Sequence, residues 1–404
     1  MGDGATFAEL TTLGVGGPIR HLVTATIQRD LVDLLTEAWG SGEPWMVLGG
    51  GSNLLAGDEG FDGTVVRVAT RGIEVLPRSV GASDGEADAA PDEVRIRVQA
   101  GETWDDLVAW TVEQGFSGIE ALSGIPGAVG AAPVQNIGAY GQELSDSLIA
   151  IEFLDEYGTE PRRIEAADLE LGYRTSVLKH GLAGVVVSIE LRLHDTAAER
   201  AVLGVAIGRP IAYAQLAGAL GVQLGDRVPL ARIREAVLAL RRSKGMVLDA
   251  GDPDSTSAGS FFTNPIVTER FARTLPSDAP RWYLEPDLPD EVTPLGEPQD
   301  SPLDAFLAHQ ASLEASVAPA PAPATDPLVK LSAAWLIERS GITRGFAIPG
   351  SRAAISSKHT LALTNRGGAT AEEVAQLARF VVSRVQAEFG IVLRPEPVVI
   401  GLDL

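Results

Sequence analysis

Ser260 stands in Ser257–Pro265, SAGSFFTNP, after small residues and before two aromatics. Its hydroxyl could give a proton to a substrate, although a turn or helix N-cap is the commoner use of a serine. A hydrolytic nucleophile is a poor reading, because no plausible Ser-His-Asp set and no cysteine accompany it. Arg174 lies in LGYRTSVLKH, just before a strand-like run. A guanidinium there could fork onto a substrate carboxylate, or lie solvated at the surface. Glu396 sits between Pro395 and Pro397, which hold it rigid near a sheet edge, as a catalytic or a merely solvated carboxylate. Lys244 and Tyr213 are of types that contact phosphates. The five histidines, 21, 180, 194, 309 and 359, lack metal-ligand spacing, so no metal is expected.

Two glycine-rich stretches must position such groups. Gly49, Gly50, Gly51, Ser52, Asn53 and Leu54 follow a short apolar run. Leu122–Leu144, LSGIPGAVGAAPVQNIGAYGQEL, has no charged side chain before Glu143, and its glycines and prolines forbid a plain helix or strand. A winding backbone of this kind is expected to expose amide N–H groups to an anion such as a pyrophosphate. Neither stretch is a G-x-G-x-x-G fingerprint or a Walker loop. Two such loops together favour a dinucleotide held between two lobes.

The chain is long enough, at 404 residues, for two or three domains. A net charge of −22 argues against nucleic acid. No apolar run reaches membrane length, and the absence of cysteine fits a cytoplasmic protein without disulfides or thiolate metal sites.

Periodicity predicts helices over Gln28–Trp39, Thr103–Gln114, Val228–Arg242, Lys330–Ser340 and Thr370–Phe389, the last with a Thr370/Glu373 capping box and Gly390 as its stop. Thr103 is read as an N-cap. Strands are expected over Trp45–Leu48, Thr64–Val68, Val94–Val98, Leu148–Leu154, Val185–Leu193, Leu361–Leu363 and Val398–Ile400. The acidic run Ser79–Glu93 reads as a mobile loop. The Pro-rich run 269–327 reads as a largely disordered insertion, with a short helix at Leu303–Ser316.

Seven motifs in order carry a resemblance over nearly the whole chain outside those two runs: TTLGVGG (Thr11–Gly17), VLGGGSNLL (Val47–Leu55), GIPGAVGAAPVQNIGAYGQEL (Gly124–Leu144), GYRTSVLK (Gly172–Lys179), KGMV (Lys244–Val247), SAGSFFTNP and RPEPVVIG (Arg394–Gly401). The chain resembles the UDP-N-acetylenolpyruvoylglucosamine reductases, in the subclass with a mobile, substrate-closing tyrosine loop. The resemblance implies an α+β protein. An FAD-binding fold of the vanillyl-alcohol oxidase type would span 1–195, with lobes of about 1–70 and 71–195. A C-terminal α+β substrate domain would span 196–404, its final strand (395–404) returning towards the FAD lobe.

It further implies non-covalent FAD, NADPH as hydride donor, and a UDP-N-acetylglucosamine enolpyruvate substrate reduced for peptidoglycan synthesis, by a cytoplasmic monomer. Ser260 looks like the proton donor, and Arg174 with Glu396 like the pair that stabilises the enol form of the substrate carboxylate. Glu396 would have to be protonated to help. Cofactor contacts are expected from Gly49–Leu54, Ser123, Gly124, Ile125, Pro126, Gly127, Gly130, Ala131, Gln135, Asn136, Gly138, Ala139, Tyr140 and Gly141. Substrate contacts are expected from Tyr140, Tyr213, Arg241, Lys244, Asn264 and His359, which sits where some members carry Gln. Thr175 departs from the acidic residue common in the family's GYRDS, and Val398 from an Arg. A flavin oxidase of the same fold and a non-catalytic UDP-sugar binder are the competing readings.

Overall fold

The structure, a computed structural model, describes residues 4–77, 92–284 and 326–404. The greater part of the acidic run and the Leu303–Ser316 helix expected from sequence lie outside the described residues.

Two larger sheets build most of the N-terminal half. Ile19–Ala25, Phe61–Val68 and Trp45–Leu48 pair in parallel, with Phe61–Val68 in the centre. Parallel neighbours need a crossover. The helix Gln28–Gly40 provides one, burying Leu31, Leu35, Ala38 and Trp39. The second sheet is antiparallel, in the order Arg162–Glu165, Leu148–Asp155, Gly184–Asp195, Glu93–Gln99, Ile73–Val75. Along Glu93–Gln99, Val94, Ile96 and Val98 point into the core, the period-two signature of a half-buried strand. Val66 and Val68 of the first sheet share a core with Leu154, Val185 and Val187 of the second.

The C-terminal half is built on the helices Ala214–Leu220, Leu230–Ser243, Ala333–Arg339 and Ala371–Phe389, a three-stranded sheet and a hairpin, Ala353–Ile355 with Leu363–Asn365. The Ala371 helix has its capping box: Glu373 N–H donates to Thr370 Oγ1 (3.1 Å), and Thr370 N–H to the Glu373 carboxylate (2.8 Å). Gly390, at φ 70°, ends it. The contacts that fasten the halves together include two near the first glycine turn and the Ala371 helix. The Asp58 carboxylate accepts from the Ala371 and Glu372 N–H groups (2.8 and 3.0 Å), where a helix N-terminus favours an anion. Val398–Ile400 pairs in parallel with Leu54–Ala56 beside the first glycine turn.

Several expectations from sequence need correction. The run after Glu269 is ordered at its ends: Glu269–Ala272 is a helical turn, and Arg281–Tyr283 and Ile266–Thr268 flank the strand Leu328–Leu331. That strand takes the first two residues of the helix expected over Lys330–Ser340. The helix runs Ala333–Arg339, capped by Ser332, because Val329 and Leu331 are recruited into a sheet whose partners are distant in sequence. Pro229 delays the helix expected at Val228 to Leu230. The strand expected at Leu361 begins at Leu363. Thr103 makes no side-chain cap, and its hydroxyl accepts from Arg71 instead.

Candidate active site

A cavity of about 680 Å³ opens where the two halves meet. Its walls carry Arg174, Ser260 and Glu396, brought from three distant segments. The Arg174 backbone lies in the left-handed region at φ 55°, a costly place for a side chain with a Cβ. Its surroundings hold it there. Gly172 and Thr175 exchange backbone hydrogen bonds (3.2 and 3.3 Å), and Lys179 Nζ donates to the Arg174 carbonyl (2.9 Å). The guanidinium donates to the Gly138 carbonyl (3.2 Å), and its Nε lies 3.3 Å from Glu396 Oε1. Burial pushes the Glu396 carboxyl above its ordinary pKa, against the pull of Arg174 and Lys179. The Glu396 backbone is pinned on both sides. Its N–H donates to the Phe261 carbonyl (2.9 Å), and its carbonyl accepts from Asn53 Nδ2 (3.2 Å) and Gln135 Nε2 (3.3 Å).

Ser260 sits at the head of a rigid segment, since Phe261 and Phe262 are fully buried and stacked edge to face at 5.2 Å. Its Oγ is 3.4 Å from His359 Nε2. Burial, then Lys244 and Arg344, lowers the His359 pKa to about 4, against a pull from Glu338. The imidazole is therefore neutral at neutral pH.

A third cluster forms beside these. Tyr140 and Gly141 make the two-residue loop of the hairpin Gly138–Ala139/Gln142–Glu143, with φ of 50° and 86°, as a type I′ turn needs. The Tyr140 ring meets Tyr213 edge to face at 5.9 Å and lies 5.3 Å from Lys244 Nζ. Lys244 Nζ also donates to Gln215 Oε1 (3.1 Å). Arg241 is almost wholly buried, and its Nε has no hydrogen-bond partner among the described residues. A buried, charged donor of this kind is costly to leave unpaired. Asp105 aligns the helix that bears Arg241, accepting from Arg234 Nη1 and Nη2 (2.6 and 3.0 Å) and from Gly124 N–H (2.6 Å).

The two glycine stretches use their glycines differently. In Gly49–Asn53, the Gly51 carbonyl accepts from Thr12 N–H (3.0 Å) and the Ser52 carbonyl from Thr12 Oγ1 (3.4 Å). Trans peptide geometry then turns the Ser52 and Asn53 N–H groups to the opposite side. In the longer stretch many N–H groups are spent inside the protein: Gly124 on Asp105, Val129 on Glu102, Gly130 on Ala100, Asn136 on Pro133 and Ile137 on Ala132. Part of the amide set expected to face an anion is therefore engaged within the protein. Its glycines permit close approach: a Cβ on Gly130 would come within 2.5 Å of the Ala100 Cβ, and one on Gly127 within 2.6 Å of Ser52 Oγ.

Comparison with known proteins agrees with this arrangement. Residues 252–400 match the UDP-N-acetylenolpyruvoylglucosamine reductase C-terminal domain, and residues 19–162 match an FAD binding domain. The UDP-N-acetylenolpyruvoylglucosamine reductase of Leifsonia xyli is 55% identical over 404 residues, covering 100% of each chain. That of Saccharopolyspora erythraea is 45% identical over 99% of this chain and 96% of its own. The chain belongs to the UDP-N-acetylenolpyruvoylglucosamine reductase family. The solved structure of the Thermus caldophilus reductase, 24% identical, covers 98% of this chain and 97% of its own at a TM-score of 0.56, which speaks for the fold. The fold is thus α+β, an FAD-binding domain followed by the reductase C-terminal domain, and the cofactor is FAD.

Of the family contacts expected from sequence, Gly49–Leu54, Ile125, Pro126, Gly127, Gly130, Ala131, Gln135, Gly138, Ala139, Tyr140, Tyr213, Arg241, Lys244 and His359 line the cavity. Five do not. Ser123 is buried and donates to the Glu120 carbonyl (2.6 Å), and Gly124 is tied to Asp105. Asn136 accepts from Ser145 N–H (3.0 Å) and donates to the Gly172 carbonyl (3.2 Å), bracing the turn that bears Arg174. Gly141 completes the hairpin loop. Asn264 accepts from Ala333 N–H (3.0 Å) at a helix start. Sequence reading missed an apolar wall that includes Val68, Trp104, Phe153, Leu182 and Val186. A valine facing a cavity has the same strand periodicity as one facing a core, so no sequence signal separates them.

Proposed function

We propose that this chain reduces the enolpyruvyl group of UDP-N-acetylglucosamine enolpyruvate at the expense of NADPH, with Arg174, Ser260 and Glu396 as its catalytic residues. The observation that carries the reading is the convergence of these three on one cavity, beside an apolar wall and a buried guanidinium whose Nε has no partner among the described residues. Residues 1–195 would hold FAD, and 196–404 would supply most of the substrate contacts. When bound, FAD supplies the hydride relay, accepting two electrons from NADPH and giving them to C3 of the substrate double bond.

The remaining chemistry falls to side chains. Ser260 gives its hydroxyl proton to C2, where a carbanion-like carbon is base enough to take it from a weak acid. Hydride addition beside a carboxylate builds negative charge on that carboxylate. The Arg174 fork, fixed before substrate arrives, is worth more in the transition state than in the ground state. Glu396 adds to this in its protonated form, which its burial favours. Arg241 and Lys244 would face the anionic diphosphate, with Tyr140 and Tyr213 against the sugar nucleotide. Their charges answer those of the ligand in a protein that is strongly acidic as a whole. The same reading has the chain act as a cytoplasmic monomer.

An anaerobic absorbance experiment tests the proposal. The purified protein is expected to carry oxidised flavin, to bleach with NADPH, and to regain its colour when the enolpyruvyl substrate is added. A colourless preparation that cannot be reconstituted with FAD, or reduced flavin that the substrate leaves reduced, overturns it.

A further inference from the structure

We infer that His359 is a positioning residue for Ser260, donating its Nε2–H to the serine oxygen so that the hydroxyl proton stays free for the substrate. The inference rests on the reductase reading above. Its observation is the 3.4 Å approach of His359 Nε2 to Ser260 Oγ, across 99 residues of sequence, on the wall of the cavity.

A serine hydroxyl has one proton and two lone pairs. If the proton is to reach a carbon, the oxygen has to be held by accepting a hydrogen bond and not by giving one. Among the described residues His359 is the side chain bonded to Ser260 Oγ. In the Nε2–H tautomer it orients the oxygen and also stabilises the negative charge left there as the proton departs. In the other tautomer the bare Nε2 would accept the serine proton and keep it from the substrate.

The backbone fixes this pair. His359 and Leu361 lie in the loop joining Ala353–Ile355 to Leu363–Asn365. Leu361 accepts from Phe261 N–H (2.7 Å), next to Ser260. The His359 N–H donates to Ser356 Oγ (3.2 Å), and its carbonyl accepts from Ala362 N–H (3.1 Å). The groups acting on the ring from neighbouring elements are Lys244 at the end of Leu230–Ser243, Glu338 in Ala333–Arg339, and Arg344 just after it. The two cations oppose a third charge on the ring, and burial opposes it more. With a neutral ring, the histidine acts here through direction rather than charge.

Two variants separate direction from bulk. His359→Met keeps similar volume without an N–H donor, and His359→Gln keeps a side-chain N–H. Each holoenzyme is reduced anaerobically with NADPH and mixed with enolpyruvyl substrate in H2O and in D2O. In His359→Met, flavin reoxidation by substrate is expected to slow about 10- to 100-fold, with a larger solvent isotope effect and flavin reduction by NADPH changed less than about twofold. In His359→Gln reoxidation should return to within about fivefold of wild type. Reoxidation at the wild-type rate in His359→Met, equal slowing of both half-reactions, or no recovery in His359→Gln overturns the inference. If His359→Met fails to hold flavin, His359→Gln decides alone: near-wild-type reoxidation supports the inference, and a loss beyond about 100-fold overturns it. A second readout needs no turnover. In ¹⁵N-histidine spectra of the holoenzyme, the resonance missing from His359→Gln should show the Nε2–H tautomer, and an Nδ1–H tautomer overturns the inference. Failure of the reductase reading looks different, because wild-type reduced flavin would then ignore the substrate altogether.

Discussion

The two chemical ends of the cavity are built on opposite principles. At one end the Arg174 guanidinium lies 3.3 Å from Glu396 Oε1, with the Arg174 backbone held in a left-handed turn. At the other, Ser260 and His359 form a neutral pair, with His359 in the loop of a hairpin. The charged end is fixed by several hydrogen bonds because its conformation costs energy. The neutral end is fixed by burial of its neighbours, Phe261 and Phe262. The difference suits a reaction that gathers negative charge on a carboxylate while it moves a single proton to carbon.

The largest expected effect comes from the neutral end. Ser260→Ala should lose about 10²–10⁴ in the rate of flavin reoxidation by substrate and leave reduction by NADPH near wild type, as stopped-flow absorbance would read. Survival of both half-reactions would remove the proton donor from the scheme. At the charged end, Arg174→Ala should cost about 10²–10³ in the same step, and Arg174→Lys less, because a point charge survives but the fork does not. A lysine variant at full speed would mean that charge alone matters there and that the strained turn serves some other purpose.

A thermal or denaturant titration sharpens the contrast further. The folded His359 pKa of about 4 lies below the ordinary value of 6.5. Between these values the unfolded chain binds a proton that the folded one does not, so stability falls as pH drops from about 6.5 towards 4. Wild type should lose about 2 kcal/mol more than His359→Gln between pH 7 and pH 5, and parallel curves would contradict the burial of a neutral ring. The smallest effect is expected at Thr175. Its hydroxyl is hydrogen-bonded to His180 Nε2 (2.9 Å), whereas Arg174 is set by backbone contacts. Thr175→Asp should therefore change reoxidation by no more than about fivefold, the scale of an exposed ion pair.

Much of this was legible from residues alone. The Thr370 capping box and Gly390 stop were readable because helix ends depend on local hydrogen bonds. The strand Leu328–Leu331 was not, since its partners lie far away in sequence and an apolar run reads equally as helix. Among site residues, Gln135 and Tyr140 were readable by motif and do face the cavity, while Asn136, in the same motif, braces the Arg174 turn. Motif membership gives a residue's importance without saying whether it faces the ligand or the scaffold.

By itself the sequence determined the helix caps, the glycine positions where the backbone had to come close, and the set of polar residues able to do the chemistry. These depend on steric and hydrogen-bonding properties carried by each residue and its near neighbours. Tertiary structure decided which amides of Leu122–Leu144 were already spent, that Arg241 kept a donor in reserve, and that His359 met Ser260. Each of those outcomes depends on atoms brought together across long loops, whose closure is driven by burial of the surrounding core and not by any property of the local sequence.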